Sequence, residues 1–296
     1  AAIDDCHRKG GGTVLIRQGR YVSGTIFMKS HVTLHVAAGG ALVGSTDIAH
    51  YAEDVHHCTY KNESNKNRCL IFARDVEHVA LEGKGVIDGR GQRDHFPNPG
   101  DARENRPMLI RFLNGVHLRL SGLTLKNPAS WASAWLYCSD IAVDNVSIFS
   151  RVNANGDGLD FDGCQNVRVA QLYFDTIAID NASCGKDSVL VLTGTPDFKI
   201  GEVALRNIHL VSGGGGGKEE ATFKQMIEYT PESIGRYWPE YDQLGGTVPA
   251  YGVYARHVRS LRMCDIVLRP DEVGYRQTGT WRSAIALPKH SSECVV

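Results

Sequence analysis

The sequence predicts an all-β protein, a right-handed parallel β-helix. Three observations carry this. Apolar residues recur at offsets 0, 2, 5 and 7: Leu118, Leu120, Leu123, Leu125, then Ile141, Val143, Val146, Ile148, then Val167, Val169, Leu172, Phe174. Later copies are Val203, Leu205, Ile208, Leu210 and Leu261, Met263, Ile266, Leu268, with a weaker early one at Val79-Ala80-Leu81 and Val86-Ile87. Asn or Asp commonly sits in the two-residue gap, as in Asp144-Asn145, Arg206-Asn207 and Cys264-Asp265. A unit of about 20–30 residues built from short strands and tight corners is the mark of a stacked solenoid. Right-handed crossovers are strongly favoured between parallel strands. A β-sandwich with irregular loops is the competing architecture.

Taken in order, the chain opens with a possible short helix, Ala1-Ala2-Ile3-Asp4-Asp5-Cys6, a candidate cap for the solenoid's end. With no leader pattern before it, this opening fits a mature form or a fragment. Gly10-Gly11-Gly12 and the strand-like Thr13-Val14-Leu15-Ile16 follow. Short β runs come next: Gly24-Thr25-Ile26-Phe27-Met28, Val32-Thr33-Leu34-His35-Val36 and Ala41-Leu42-Val43-Gly44. No Asn-Gly hairpin loops separate them, which argues against an antiparallel meander. Residues 1–296 read as one β-helix domain with a 212–252 insertion loop. That loop begins with five glycines (213–217) and carries Tyr237, Trp238, Tyr241 and Tyr251, which either pack it on the solenoid or stack on sugar rings.

Composition excludes several classes. The 296 residues are 42% apolar and 22% charged, with a formal net charge of -1. No basic field argues for nucleic acid, and no apolar run reaches the ~18 residues of a membrane span. The eight cysteines show no C-x-x-C pair, so neither zinc spacing nor a disulfide framework can be read. His56-His57-Cys58 lacks a second ligand pair and reads as loop. No metal and no cofactor is expected.

The stretch Asn153-Ala154-Asn155-Gly156-Asp157-Gly158-Leu159-Asp160-Phe161-Asp162 is where chemistry concentrates. From Leu159 the residues alternate, so Leu159 and Phe161 can face a core while Asp160 and Asp162 face out. Glycines on both sides of Asp157 allow a tight bend and leave room for a ligand near the backbone. Clustered carboxylates suit acid–base work on a sugar; a turn with solvated aspartates is the plain alternative.

These residues resemble glycoside hydrolase family 28, the polygalacturonase-type pectinases. The likeness runs through Gly10-Gly11-Gly12-Thr13-Val14, Gly24-Thr25-Ile26, Lys29-Ser30-His31-Val32-Thr33-Leu34-His35, Gly85-Val86-Ile87-Asp88-Gly89-Arg90-Gly91 and Asn127-Pro128-Ala129-Ser130-Trp131. The specific match is Asn155-Gly156-Asp157-Gly158-Leu159-Asp160 to the family's Asn-x-Asp-Gly-x-Asp signature. The resemblance implies a right-handed parallel β-helix and inverting hydrolysis of pectic oligo- or polysaccharide, without metal or cofactor. It implies Asp157 as general base, Asn155 as a substrate or water contact and Asp160 as a second site carboxylate. It also implies secretion or periplasmic residence, with no nucleic-acid or membrane partner; a monomer is expected.

The chain departs from the family pattern after Phe174-Asp175-Thr176. Ile177-Ala178-Ile179 follows where a Gly-Asp-Asp motif is expected, and neither Gly-His-Gly nor Arg-x-Lys is present. The His that often follows the Ser-x-Trp motif is replaced near Ala134. Asp175 or Asp180 could stand in for the general acid by proximity, and Arg256, His257 and Tyr251 could line the groove toward an acidic sugar. Lys126 and Arg151 are weaker groove candidates, and Ser130 has no partner pattern for a nucleophile. The step from Val167 to Val203 is 36 residues, neither one coil nor clearly two, so several central coils of the family are expected to be missing. Impaired activity is the expected result. Two other readings compete: a non-catalytic carbohydrate-binding β-helix, and a pectate-lyase-like enzyme using Ca²⁺ and an Arg base.

Overall fold

A computed structural model describes residues 1–53, 68–97, 106–150, 152–153, 155–175, 190–196, 199–212, 250–270, 283–286 and 294–295. The first coil holds helix α1 (Ala2–Arg8) and strands β1 (Gly12–Ile16), β2 (Gly19–Ser23) and β3 (Ile26–Phe27). Then come β4 (Val32–Val36), β5 (Gly40–Gly44) and β6 (Cys69–Arg74), and after them β7 (Glu77–Gly83), β8 (Val86–Asp88) and β9 (Met108–Leu113). The next coils hold β10 (Val116–Ser121), β11 (Thr124–Lys126) and β12 (Ser133–Leu136), then β13 (Ser139–Phe149) and β14 (Asp160–Asp162). The remaining strands are β15 (Gln165–Asp175), β16 (Leu190–Thr193), β17 (Ile200–Ser212), β18 (Ala250–Arg256), β19 (Val258–Pro270), β20 (Ser283–Ala286) and β21 (Cys294–Val295).

Every strand pairing is parallel between successive coils, as a β-helix requires. The 0-2-5-7 residues are the rungs of one ladder. Leu118, Ile141, Val167, Val203 and Leu261 stand in register, as do Val146, Leu172, Ile208 and Ile266. These residues alternate inward along each strand and pack in the main core with Val79, Leu81, Leu118 and Leu120.

The two-residue gap has a conformational cause. Asn145, Gln171, Asn207 and Asp265 all have φ between 51° and 55°. This left-handed turn removes one residue from the alternation and re-aims the chain. Asn and Asp adopt it more readily than other residues with a Cβ. In earlier coils glycine does the same work: Gly122, at φ 74°, separates β10 from β11. Two ladders, β1-β4-β7-β10 and β2-β5-β8-β11, therefore merge at β13 into single bent strands of 11 to 13 residues.

A second sheet, β3-β6-β9-β12-β14, closes the cross-section, and a third, β16-β18-β20, follows it in chain order. Strands of both sheets come before the strands of the long ladder in their coils. No strand pairing joins β14 to β16 among the described residues. Helix α1 covers the first coil, with Ile3 and Cys6 against the core, as expected of a cap.

The 36-residue step closes as one coil, because Val167 pairs directly with Val203. Residues 176–189, including Asp180, lie outside the described residues, as do 54–67 with His56, His57 and Cys58, Arg151, and most of the 212–252 insertion with Tyr237, Trp238 and Tyr241.

Candidate active site

The acidic stretch leads into β14 on the sheet opposite the long ladder. Its backbone is anchored to the preceding coil at two points. Ala132 N–H donates to the Asp157 carbonyl at 2.7 Å, and Ser133 Oγ donates to the Gly158 carbonyl at 2.9 Å. Ser133 is in turn the acceptor for Trp135 Nε1 at 3.0 Å. Trp135 packs between Phe112 and Phe161, at ring distances of 4.9 and 6.0 Å. A rigid core column thus holds the loop that presents Asp157, whose side chain is exposed.

Asn155 is held from a third direction. Its φ is 55°, in the left-handed region. Arg106, only 4% exposed, donates through Nη2 to Asn155 Oδ1 at 2.8 Å and through Nη1 to the Ala129 carbonyl at 3.1 Å. A guanidinium has only donors, so the amide oxygen must face it. Asn155 therefore keeps Nδ2, a donor, for any ligand. Gly156 permits the close pass of the chain here, since a Cβ on it would lie 2.3 Å from the Ser150 carbonyl oxygen. Asn153 Nδ2 ties the start of the stretch to the Gly91 and Phe96 carbonyls at 2.9 and 2.8 Å.

Asp160 opens β14, half-buried, beside Ala134. One row of the sheet runs Phe27, Phe72, Arg111, Ala134, Asp160. Phe72 and Ala134 belong to a small apolar cluster separate from the main core, with Cys69, Met108, Leu113, Trp131 and Leu136. Arg111 is fully buried in that row, its Nη1 3.7 Å from Met108 Sδ. Cys69, also fully buried, has its thiol pushed up to about 12 by burial, against the opposing charge of Arg111.

The other candidates fall elsewhere. Arg256 and His257 are both buried at the end of β18, in the third sheet. His257, at φ 52°, makes the corner into β19 that Asn114 makes between β9 and β10. Tyr251 lies on β18 and Asp175 ends β15 in the long ladder, away from β14 by strand pairing. Lys126 Nζ is 3.6 Å from Asp88 Oδ2, a nearly buried carboxylate that also accepts from Asn127 Nδ2 at 3.0 Å. Ser130 is buried. Arg106 and Arg111 are absent from the sequence-derived candidates. Arg111 carried a signal, a lone cation inside the apolar run Met108-Leu109-Ile110-Arg111-Phe112; Arg106 carried none. Among the described residues no group of three His, Cys, Asp or Glu is arranged to hold a metal, and Cys6, Cys69, Cys138, Cys164 and Cys264 are free thiols.

The chain is 28% identical over 202 residues to a probable polygalacturonase of Vitis vinifera, a match covering 65% of this chain and 39% of that protein. It is 31% identical over 154 residues to a polygalacturonase of Ralstonia solanacearum, covering 44% and 29%. The chain thus spans less than half the length of these relatives. Among solved structures, an exopolygalacturonase from Thermotoga maritima superposes with a TM-score of 0.58 over 90% of this chain and 62% of the other, at 18% identity. That likeness is one of fold, and it agrees with a right-handed parallel β-helix. The model of glycosyl hydrolases family 28 matches residues 23–226, more than half of the 296, so the chain belongs to that family.

Proposed function

We propose that the protein is a glycosidase that hydrolyses pectic polysaccharide with inversion, using Asp157 as general base. The observation that carries the reading is the exposed carboxylate of Asp157 within the family's Asn-x-Asp-Gly-x-Asp stretch, on a loop anchored at Asn155, Asp157 and Gly158. Asp157 takes a proton from water, and the oxygen attacks the anomeric carbon. The glycosidic C–O bond breaks as a second carboxyl protonates the leaving oxygen from the other face. Inverting enzymes hold the two carboxyls about 6.5–9.5 Å apart, with room for that water. Asp160, half-buried at the head of β14, orients the substrate in this reading, and the acid is a carboxyl outside the Asn-x-Asp-Gly-x-Asp stretch. Asn155 Nδ2 donates to a substrate hydroxyl or carboxylate oxygen.

The names of the relatives support galacturonan as the substrate class. Such a substrate suits a secreted or periplasmic monomer. No helix among the described residues is long and apolar enough to cross a membrane. Tyr251 of β18 stays in the reading as a contact beyond the acidic loop; Arg256 and His257, both buried, do not.

The test is reducing-sugar release from polygalacturonate by this chain and by Asp157→Asn. Loss of a general base typically lowers the rate about 10²–10⁴-fold, so activity in the parent and none in the variant supports the reading. Equal activity in both overturns it. Oligogalacturonate binding with no activity in either points to a non-catalytic carbohydrate-binding module.

A further inference from the structure

A cavity of about 310 Å³ opens at the N-terminal end of the sheet that carries the acidic stretch. Its walls include Phe27 of β3, Lys29 and Ser30 just beyond it, Phe72 and Arg74 of β6, and Asp75. The volume lies at the lower end of ordinary small-ligand sites. Phe27 is 46% exposed there, with Phe72 edge-on to it at 6.0 Å. An aromatic ring open to solvent at the mouth of a polar cavity is a stacking platform.

The charges at this cavity are unbalanced. Arg74 is half-buried, and among the described residues neither its guanidinium nor the Lys29 ammonium has an ion-pair partner. The carboxylate on the same wall, Asp75, accepts from Asn114 Nδ2 at 3.0 Å. His7, also on the wall, has Nδ1 3.0 Å from the Ser30 carbonyl oxygen. A partly desolvated guanidinium is a fork for a carboxylate.

The cavity lies on the same row as the acidic stretch. Phe27 and Asp160 are its two ends, four rungs apart, or about 19 Å at the usual strand spacing. Phe72, Arg111 and Ala134 between them are buried, so the two ends open separately.

We propose that this cavity is a second carbohydrate site that takes one uronate residue of an acidic polysaccharide, its ring on Phe27 and its carboxylate on Arg74 and Lys29. The choice of a uronide rests on the proposed function. The site's effect is avidity: a polymer held at the cavity raises the local concentration of its other residues near Asp157.

Amide hydrogen exchange read by mass spectrometry tests this with the whole chain and an oligogalacturonate. Segments 25–30 and 69–76 are expected to exchange more slowly with the oligomer, as is segment 155–162. Arg74→Gln or Lys29→Gln weakens the first effect by about tenfold in oligomer concentration, the loss of one charged contact. Phe27→Ala weakens it as well; the ring is on the surface, so the melting temperature stays within a few degrees. All three variants keep the protection of 155–162 at saturating oligomer but need more oligomer to reach it, because the avidity is lost. A fully methyl-esterified oligomer does not slow 25–30 or 69–76. Protection of 155–162 alone overturns the second site and keeps the proposed function. Protection of 25–30 and 69–76 alone keeps the site and overturns the proposed function. Protection of neither overturns both, and equal protection by inorganic phosphate overturns the uronide assignment.

Discussion

Arg106 Nη2 and Asn155 Oδ1 meet at 2.8 Å across 49 residues of sequence, and the same guanidinium reaches the Ala129 carbonyl. One buried cation thus sets the orientation of the amide that stands two residues before Asp157. Arg106→Gln removes a charged donor from two acceptors. Hydrogen bonds to charged groups are each worth about 1.5–3 kcal/mol, so a loss of about 3 kcal/mol in urea unfolding is expected. Arg106→Lys keeps the charge but not the fork that spans both acceptors, and falls between. In a double-mutant cycle, Arg106→Gln on an Asn155→Ala background costs less than on the parent. Additive losses would show that the two side chains are not coupled.

This pair also marks where sequence reading stops. The long ladder was legible because burial on alternate sides and a left-handed turn at Asn145, Asn207 and Asp265 leave a fixed apolar spacing. The acidic loop was legible because its glycines and carboxylates are contiguous. Arg106 was not, since its meaning depends on which coil lies beside it, a through-space fact that no local pattern encodes. The cavity at Phe27 and Arg74 was hidden for the same reason: its walls come from β3 and β6, two coils with a long excursion between them. The 36-residue step from Val167 to Val203, neither one coil nor clearly two by its length, was ambiguous for a different reason. The ladder fixes register only where strands pair, and it places no limit on the length of an excursion between them.

Ser133 joins the core to the acidic loop by accepting from Trp135 Nε1 and donating to the Gly158 carbonyl. Both partners are buried. Ser133→Ala leaves a donor and an acceptor unsatisfied, each costing about 1–3 kcal/mol. A total loss of about 2 kcal/mol or more is expected, with faster amide exchange around Gly158. A melting temperature within a degree of the parent's would show that water replaces the hydroxyl without cost.

Asn145 tests the left-handed turn. It is exposed and has φ 53°, so few contacts confuse the outcome. Asn145→Gly is expected to change stability by a few tenths of a kcal/mol, since glycine takes this conformation freely. Asn145→Val is expected to cost about 1–2 kcal/mol, the penalty for placing a Cβ-bearing, β-branched residue there. Equal denaturation midpoints for the two variants would mean that the turn is held by its neighbours and not by the residue itself.

Cys69 gives the pH dependence. Burial raises its thiol from 9.0 to about 12. The folded state therefore favours the neutral thiol. Stability from this group is complete below the unfolded value, near 9, and falls as the pH rises from there to about 12. Each unit of that window is worth about 1.4 kcal/mol, so at about pH 10.5 the parent has lost about 2 kcal/mol that Cys69→Ala never had. The alanine variant starts less stable at pH 8, having lost core packing. The gap in unfolding free energy between the two proteins is expected to narrow by about 2 kcal/mol between pH 8 and about 10.5. A gap that stays constant across that range would mean that the Cys69 thiol reaches solvent, or ionises within the fold, as easily as in the unfolded chain.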